Sequence, residues 1–140
     1  MNLKMNWNNL LSTKRLGMED WKATHRPEDR TQFQRDYDRI IFSSPFRRMQ
    51  NKTQVFPLPE HIFVHNRLTH SLEVASVGRS LGNLLSELLS EEYPENPLIP
   101  EIGTIASTAC LAHDLGNPPF GHSGESAISG FFTKGAGKEF

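Results

Sequence analysis

Residues 101–125 read EIGTIASTACLAHDLGNPPFGHSGE, and the fold and the chemistry of the chain are both decided there. Ile102, Ile105, Ala106, Ala109, Cys110, Leu111 and Ala112 recur at three- and four-residue spacings, which puts the larger apolar groups on one face of a helix. Pro100 and Glu101 suit the start of that helix, where a proline loses no hydrogen bond and a carboxylate meets the positive end of the dipole. Gly116 offers an exit, and Asn117-Pro118-Pro119 blocks continuation. His113 and Asp114 are therefore expected on the last turn, held from behind by fixed backbone with their tips toward a cleft. With His122 opposite, an imidazole and a carboxylate side by side can grip one metal ion from two directions.

Outward from that stretch, the preceding residues 67–91 read as a long helix, RLTHSLEVASVGRSLGNLLSELLSE. Leu68, Leu72, Ala75, Leu81, Leu84, Leu85 and Leu88 are expected to supply its apolar face, and Gly78 and Gly82 to permit close approach of a second helix. His70, taken alone, reads as a core histidine hydrogen-bonded to backbone or carboxylate. Packed against the helix that ends at His113-Asp114, it can supply a third ligand. Tyr93-Pro94-Glu95-Asn96-Pro97 joins the two helices, and a further helix is expected within 125–132.

Residues 32–55 are denser than what precedes them. Phe33, Tyr37, Ile40 and Ile41 fit a helical stripe, Ser44-Pro45 suits a new helix start, and Phe46 and Met49 point inward. Arg47, Arg48 and Lys52 are three cations within six residues, a solvated helix face or an oligophosphate contact. Residues 53–66, with two prolines and no helical period, are expected to form a short hairpin or a structured loop. His61 and His65 lie there without a helix to give their spacing meaning as metal geometry. Residues 1–35 read as an N-terminal arm that folds back on the domain or on a neighbour, and 36–140 as the domain proper.

Composition sets the outer bounds. A chain of 140 residues is long enough for one domain with a real core. Its net charge of -1, with no continuous polybasic block, gives no case for a general nucleic-acid surface. A single cysteine, Cys110, excludes an intrachain disulfide framework and reads as a small buried side chain. There is no secretory pattern at the N-terminus and no apolar run of about 18 residues, so the expected setting is soluble and cytoplasmic.

Three ordered motifs add a resemblance. Residues 46–55, FRRMQNKTQV, then 66–71, NRLTHS, then 113–125, HDLGNPPFGHSGE, together resemble the HD-domain deoxynucleoside triphosphate triphosphohydrolases, in particular the bacterial dGTPase-like branch. Residues 5–11, MNWNNLL, resemble the start of those enzymes. The resemblance implies an all-α HD-domain fold and hydrolysis of dGTP or another dNTP to deoxynucleoside and inorganic triphosphate. It implies His70, His113 and Asp114 as ligands of a divalent metal, magnesium or manganese, with one further aspartate on a later helix beyond Phe140. The chain is accordingly expected to be the N-terminal portion of a longer domain.

By the same resemblance His122 is the acid/base or leaving-group stabiliser and Glu125 its orienting partner, Arg67 contacts the α-phosphate, and Gln54 reads the sugar 3′-hydroxyl. Arg47, Arg48 and Lys52 are weaker phosphate or interface candidates. The implied partners are a deoxynucleoside triphosphate, further copies of the chain in a homo-oligomer, and a regulatory single-stranded nucleic acid or nucleotide. Two competing readings are another HD-domain phosphohydrolase and a noncatalytic oligomerisation or regulatory fragment.

Overall fold

A computed structural model describes residues 6–18, 30–52, 66–118 and 120–139. Every regular element among them is helical: α1 (Trp7–Leu10), α2 (Gln32–Phe42), α3 (Ser44–Arg48), α4 (Arg67–Glu92), α5 (Ile102–Ala112) and α6 (Gly121–Lys134), with 3-10 turns at Met49–Asn51, Ile99–Glu101 and Ala136–Glu139. The hairpin or loop expected over 53–66 lies, but for Asn66, outside the described residues, as do Gln54, His61 and His65. No helix among the described residues is long and apolar enough to cross a membrane.

Local signals account for where the helices begin. Thr31 caps α2 by accepting from the Gln34 N–H while the Gln34 side chain accepts from the Thr31 N–H, a reciprocal capping box. Asn66 does the same for α4 with Thr69, at 2.8 and 3.2 Å. This second box fixes the first turn of α4, from which Arg67 and His70 project. Ser43 caps α3, whose first turn carries Pro45.

The centre of the fold is the antiparallel pair α4 and α5, and its packing reverses one sequence expectation. The α4 residues buried are Ser71, Ala75, Gly82, Ser86 and Leu89, whereas Leu81, Leu84 and Leu88 are 62%, 58% and 72% exposed. Small residues face α5 because the two backbones come together there. A Cβ on Gly82 would lie 2.8 Å from the Gly103 Cα and 3.0 Å from the Ile102 carbonyl oxygen. Leucines cannot enter a seam of that width, so the later part of the expected apolar face, Leu81, Leu84 and Leu88, points outward, while Ala75 is buried and Leu68 packs against the core as expected. The close approach expected of Gly78 and Gly82 is what the structure has: at Gly78 a Cβ would meet the Cys110 Sγ at 2.6 Å.

Two clusters form on either end of this pair. Phe46, Met49, Ala75 and Leu111 are buried together, with Tyr37, Ile40, Ile41 and Leu68 packed around them. Burying such side chains is worth about 1.5–3 kcal/mol each, and this cluster lies beneath the ends of α4 and α5 that carry the histidines. At the far end Leu89, Ile99 and Ile102 receive Trp7 and Leu11 from the N-terminal residues, and Asn96 Nδ2 donates to Asn8 Oδ1 at 2.7 Å. Arg15 pairs with Asp36 at 2.7 Å, and Thr31 Oγ1 donates to Glu101 Oε2 at 3.0 Å, tying α2 to the start of α5.

Two boundaries differ from expectation. The α5 helix closes at Ala112, so His113 is its C-cap and Asp114 lies in the turn that follows; Gly116, at φ +82°, provides the exit. The last helix starts at Gly121, ahead of the expected residue 125, and includes both His122 and Glu125. Its only extensive packing among the described residues is on the turn Ala136–Glu139, where Phe131 covers Gly137.

Candidate metal centre

His70, on the second turn's edge of α4, meets His113 and Asp114 where α5 ends. The ligand atoms these three side chains offer all lie within 4.8 Å of one another, and they form the one such group of His, Cys, Asp or Glu among the described residues. The two imidazoles stand edge to face, centroids 5.4 Å apart. Two distant segments are thereby brought to one point by the narrow α4–α5 seam.

The hydrogen bonds decide which atoms face the centre. His113 Nδ1 lies 2.6 Å from the Cys110 carbonyl oxygen, which can only accept, so Nδ1 carries the proton. In the neutral ring this leaves Nε2 with a lone pair. That atom lies 3.7 Å from Asp114 Oδ2, too long for a hydrogen bond. Two electron-pair donors therefore stand 3.7 Å apart, a separation too wide for a shared proton and capable of accommodating a cation. Ligands about 2.1 Å from a divalent first-row ion stand about 3.0–3.5 Å apart at ordinary coordination angles, so a small inward adjustment suffices.

Asp114 is held from its other oxygen. Oδ1 accepts from Asn117 Nδ2 at 2.6 Å and from Arg67 Nη1 at 3.2 Å. The carboxylate is 10% exposed and Arg67 16%. A carboxylate so little hydrated needs charge or donors around it; here Oδ1 takes both and Oδ2 is left for the centre. The donor set of two imidazoles and one carboxylate fits a divalent ion of the first row. Three protein ligands leave coordination positions for water and substrate.

The remaining sequence candidates fall in different places. Arg67 lies at the centre's edge with one N–H engaged on Asp114 and the rest of its guanidinium fork free of that bond. Lys52 is also near, its Nζ donating to the Asn117 carbonyl oxygen at 3.2 Å. Arg47 and Arg48 are exposed on α3, Arg47 over the ring of Phe42 at 6.0 Å. His122 Nδ1 lies 3.1 Å from Glu125 Oε2, one turn apart on α6, but the His122 side chain is fully exposed and is not one of the three grouped ligands. Gln54 lies outside the described residues. The sequence marks Asn117 only as part of the stretch that stops the helix; the one signal for its contact with Asp114 is position, three residues after it, where an amide can reach back across a turn.

Beside His70 an apolar groove of about 410 Å³ runs along α4, lined by Val74, Val77, Leu81 and Cys110. It is the continuation of the outward leucine face.

Comparison with known proteins agrees with this geometry. The HD domain family model matches residues 67–139. Over 136 residues the chain is 52% identical to a deoxyguanosinetriphosphate triphosphohydrolase-like protein of Pseudomonas aeruginosa, covering 96% of this chain and 30% of that protein. A protein of the same description from Synechocystis is 50% identical over 131 residues, 93% of this chain and 29% of its own. One from Listeria monocytogenes is 41% identical over 132 residues, 91% and 28%. The chain spans about 30% of the length of these curated relatives. A chain whose regular elements are all helical among the described residues, and whose matched region opens at Arg67 and holds a His, His, Asp cluster capable of coordinating a divalent metal, belongs to the HD-domain family, on the dGTPase-like bacterial branch.

Proposed function

We propose that His70, His113 and Asp114 hold a divalent ion, magnesium or manganese, and that the chain contributes this centre to hydrolysis of dGTP or another dNTP into deoxynucleoside and inorganic triphosphate. The observation that carries the reading is the convergence of the three ligand atoms within 4.8 Å in a member of the HD-domain family. When bound, the ion supplies Lewis-acid stabilisation of charge on a phosphoryl group. The chain's own residues do the rest. Arg67, with a guanidinium that has five N–H donors and spends one on Asp114, binds an α-phosphate oxygen. Gln54 hydrogen-bonds the sugar 3′-hydroxyl, and Lys52, Arg47 and Arg48 meet the outer phosphates. His122 exchanges the proton, oriented by Glu125 through the 3.1 Å contact.

The reaction balances simply. Water oxygen bonds to the α-phosphorus, the bond from phosphorus to the 5′-oxygen breaks, and the water's proton replaces it on that oxygen. The same reading takes in a fourth, carboxylate ligand from a later helix, a homo-oligomer, a regulatory single-stranded nucleic acid or nucleotide, and a cytoplasmic setting.

Ion-pair chromatography of the products formed from dGTP with Mn²⁺ tests the reaction. Deoxyguanosine and triphosphate in equal amounts are expected; pyrophosphate or single phosphates contradict it. His122→Ala is expected to lower turnover about 10²–10⁴-fold at unchanged metal content, and unchanged turnover rejects its assignment. A second reading, a metal-holding module without turnover of its own, is favoured by the full exposure of His122 on a helix with little packing. Metal binding without any product from dGTP would select it.

A further inference from the structure

Four hydrogen bonds around Asp114 close into a circuit. The Arg67 N–H donates to the Lys52 carbonyl oxygen at 3.0 Å. Lys52 Nζ donates to the Asn117 carbonyl oxygen at 3.2 Å, and Asn117 Nδ2 to Asp114 Oδ1 at 2.6 Å. Arg67 Nη1 completes the loop on the same Oδ1 at 3.2 Å. Three separate pieces of chain meet in it: the residue after the Met49–Asn51 turn, the first residue of α4, and the turn that follows α5.

We propose that Asn117, braced by Lys52, is a positioning residue of the metal centre, acting through Asp114; this rests on the metal-site reading above. A carboxylate bound through one oxygen rotates freely about its Cβ–Cγ bond unless the other oxygen is fixed. The 2.6 Å amide bond is the shorter of the two on Oδ1, and it comes from within the same turn, so it sets the carboxylate plane with little slack. Arg67 alone does not suffice for this, because a guanidinium drawn toward a phosphate weakens its 3.2 Å contact. Asn117 is neutral and has no such second client. Lys52 in turn holds the Asn117 peptide against the start of α4, so that the amide cannot swing away with the turn.

The division of labour gives each residue a distinct signature. Loss of Asn117 releases the carboxylate without removing a charge, and so affects metal affinity with little effect on folding. Loss of the Lys52 ammonium loosens the brace and also removes a cation assigned to the outer phosphates, so its effect on the centre is read from metal affinity in the absence of nucleotide.

The experiment is titration of the 140-residue chain with Mn²⁺, read by calorimetry, alongside thermal melting of the metal-free protein. Asn117→Ala is expected to weaken Mn²⁺ about 10–100-fold, the usual range for a group that orients a ligand, with a melting temperature within a few degrees of the parent. Lys52→Met, at an exposed side chain, is expected to weaken it about three- to tenfold. Parent protein that binds Mn²⁺ together with both variants binding within twofold of it overturns the positioning role and leaves the metal site standing. Parent protein that binds no Mn²⁺ overturns the metal site and this inference with it. Should Asn117→Ala melt more than about 10 °C early, a loss too large for one hydrogen bond, Lys52→Met decides the question by the same twofold criterion.

Discussion

Replacing Asp114 with asparagine is expected to lower Mn²⁺ affinity at least about 100-fold while costing the metal-free fold only about 1–2 kcal/mol. The two effects separate because the carboxylate's oxygens have different jobs. Oδ1 accepts from Asn117 and Arg67, and an amide oxygen can still accept both bonds, though more weakly. Oδ2 faces His113 Nε2 at 3.7 Å, and an amide nitrogen in its place is a donor with nothing to give a cation. Removing one partner of a fully buried ion pair costs about 3–5 kcal/mol. Arg67 is at the rim, 16% exposed, and water can reach it, so the smaller figure applies. Calorimetric titration and urea unfolding of the same variant measure both quantities. Affinity and stability falling in equal free-energy steps would mean that Asp114 is a structural carboxylate and no ligand.

The second large effect is one of backbone spacing. Gly82→Leu is expected to remove more than about 3 kcal/mol and to lower the melting temperature by more than about 10 °C. Any side chain at this position gains up to about 1 kcal/mol of helix propensity over glycine, so the sign is a contest. It is settled by what the side chain meets. Two of the three closest atoms are backbone, the Gly103 Cα at 2.8 Å and the Ile102 oxygen at 3.0 Å, with the Ala106 Cβ at 3.1 Å. Backbone cannot rotate aside, so α4 and α5 must part. Because His70 rides on one helix and His113 on the end of the other, parting them also loosens the ligand cluster. Gly130→Ala on α6 is the control: nothing lies within 4 Å of its added Cβ, and the propensity gain is expected to appear unopposed. Circular dichroism melts of both variants check the contrast, and a neutral Gly82→Leu would mean that the seam is looser than its glycines indicate.

Residue patterns announced much of this architecture, for physical reasons that also explain the failures. The start of α4 at Arg67 falls where its residue pattern changes, and α5 stops before Gly116 and the prolines as expected, though already at Ala112, since helix-stop chemistry is local and acts through neighbours in sequence. His113 and Asp114 were evident because two chemically unusual residues close an apolar run. The choice between His70 as core and His70 as ligand could not be made from its own helix, because it depends on what α5 brings across the seam. The leucine face of α4 misled for the same reason. Spacing reveals that Leu81, Leu84 and Leu88 share a face, but the partner helix approaches the face of smaller residues, which periodicity weighs lightly. Phe46 and Met49, by contrast, are 4% and 1% exposed as their spacing after Pro45 requires. The circuit through Lys52, Asn117 and Arg67 joins residues up to 65 apart along the chain, and no local pattern encodes a bond of that span.

The most direct test of the central claim is electron spin echo spectroscopy of Mn²⁺ bound to the chain with ¹⁵N-labelled histidine. Two histidine nitrogens coupled to the ion are predicted, falling to one in His70→Ala and likewise in His113→Ala, and unchanged at two in His122→Ala. Absence of nitrogen coupling, or two nitrogens surviving the loss of His70, would contradict a metal centre built from His70, His113 and Asp114.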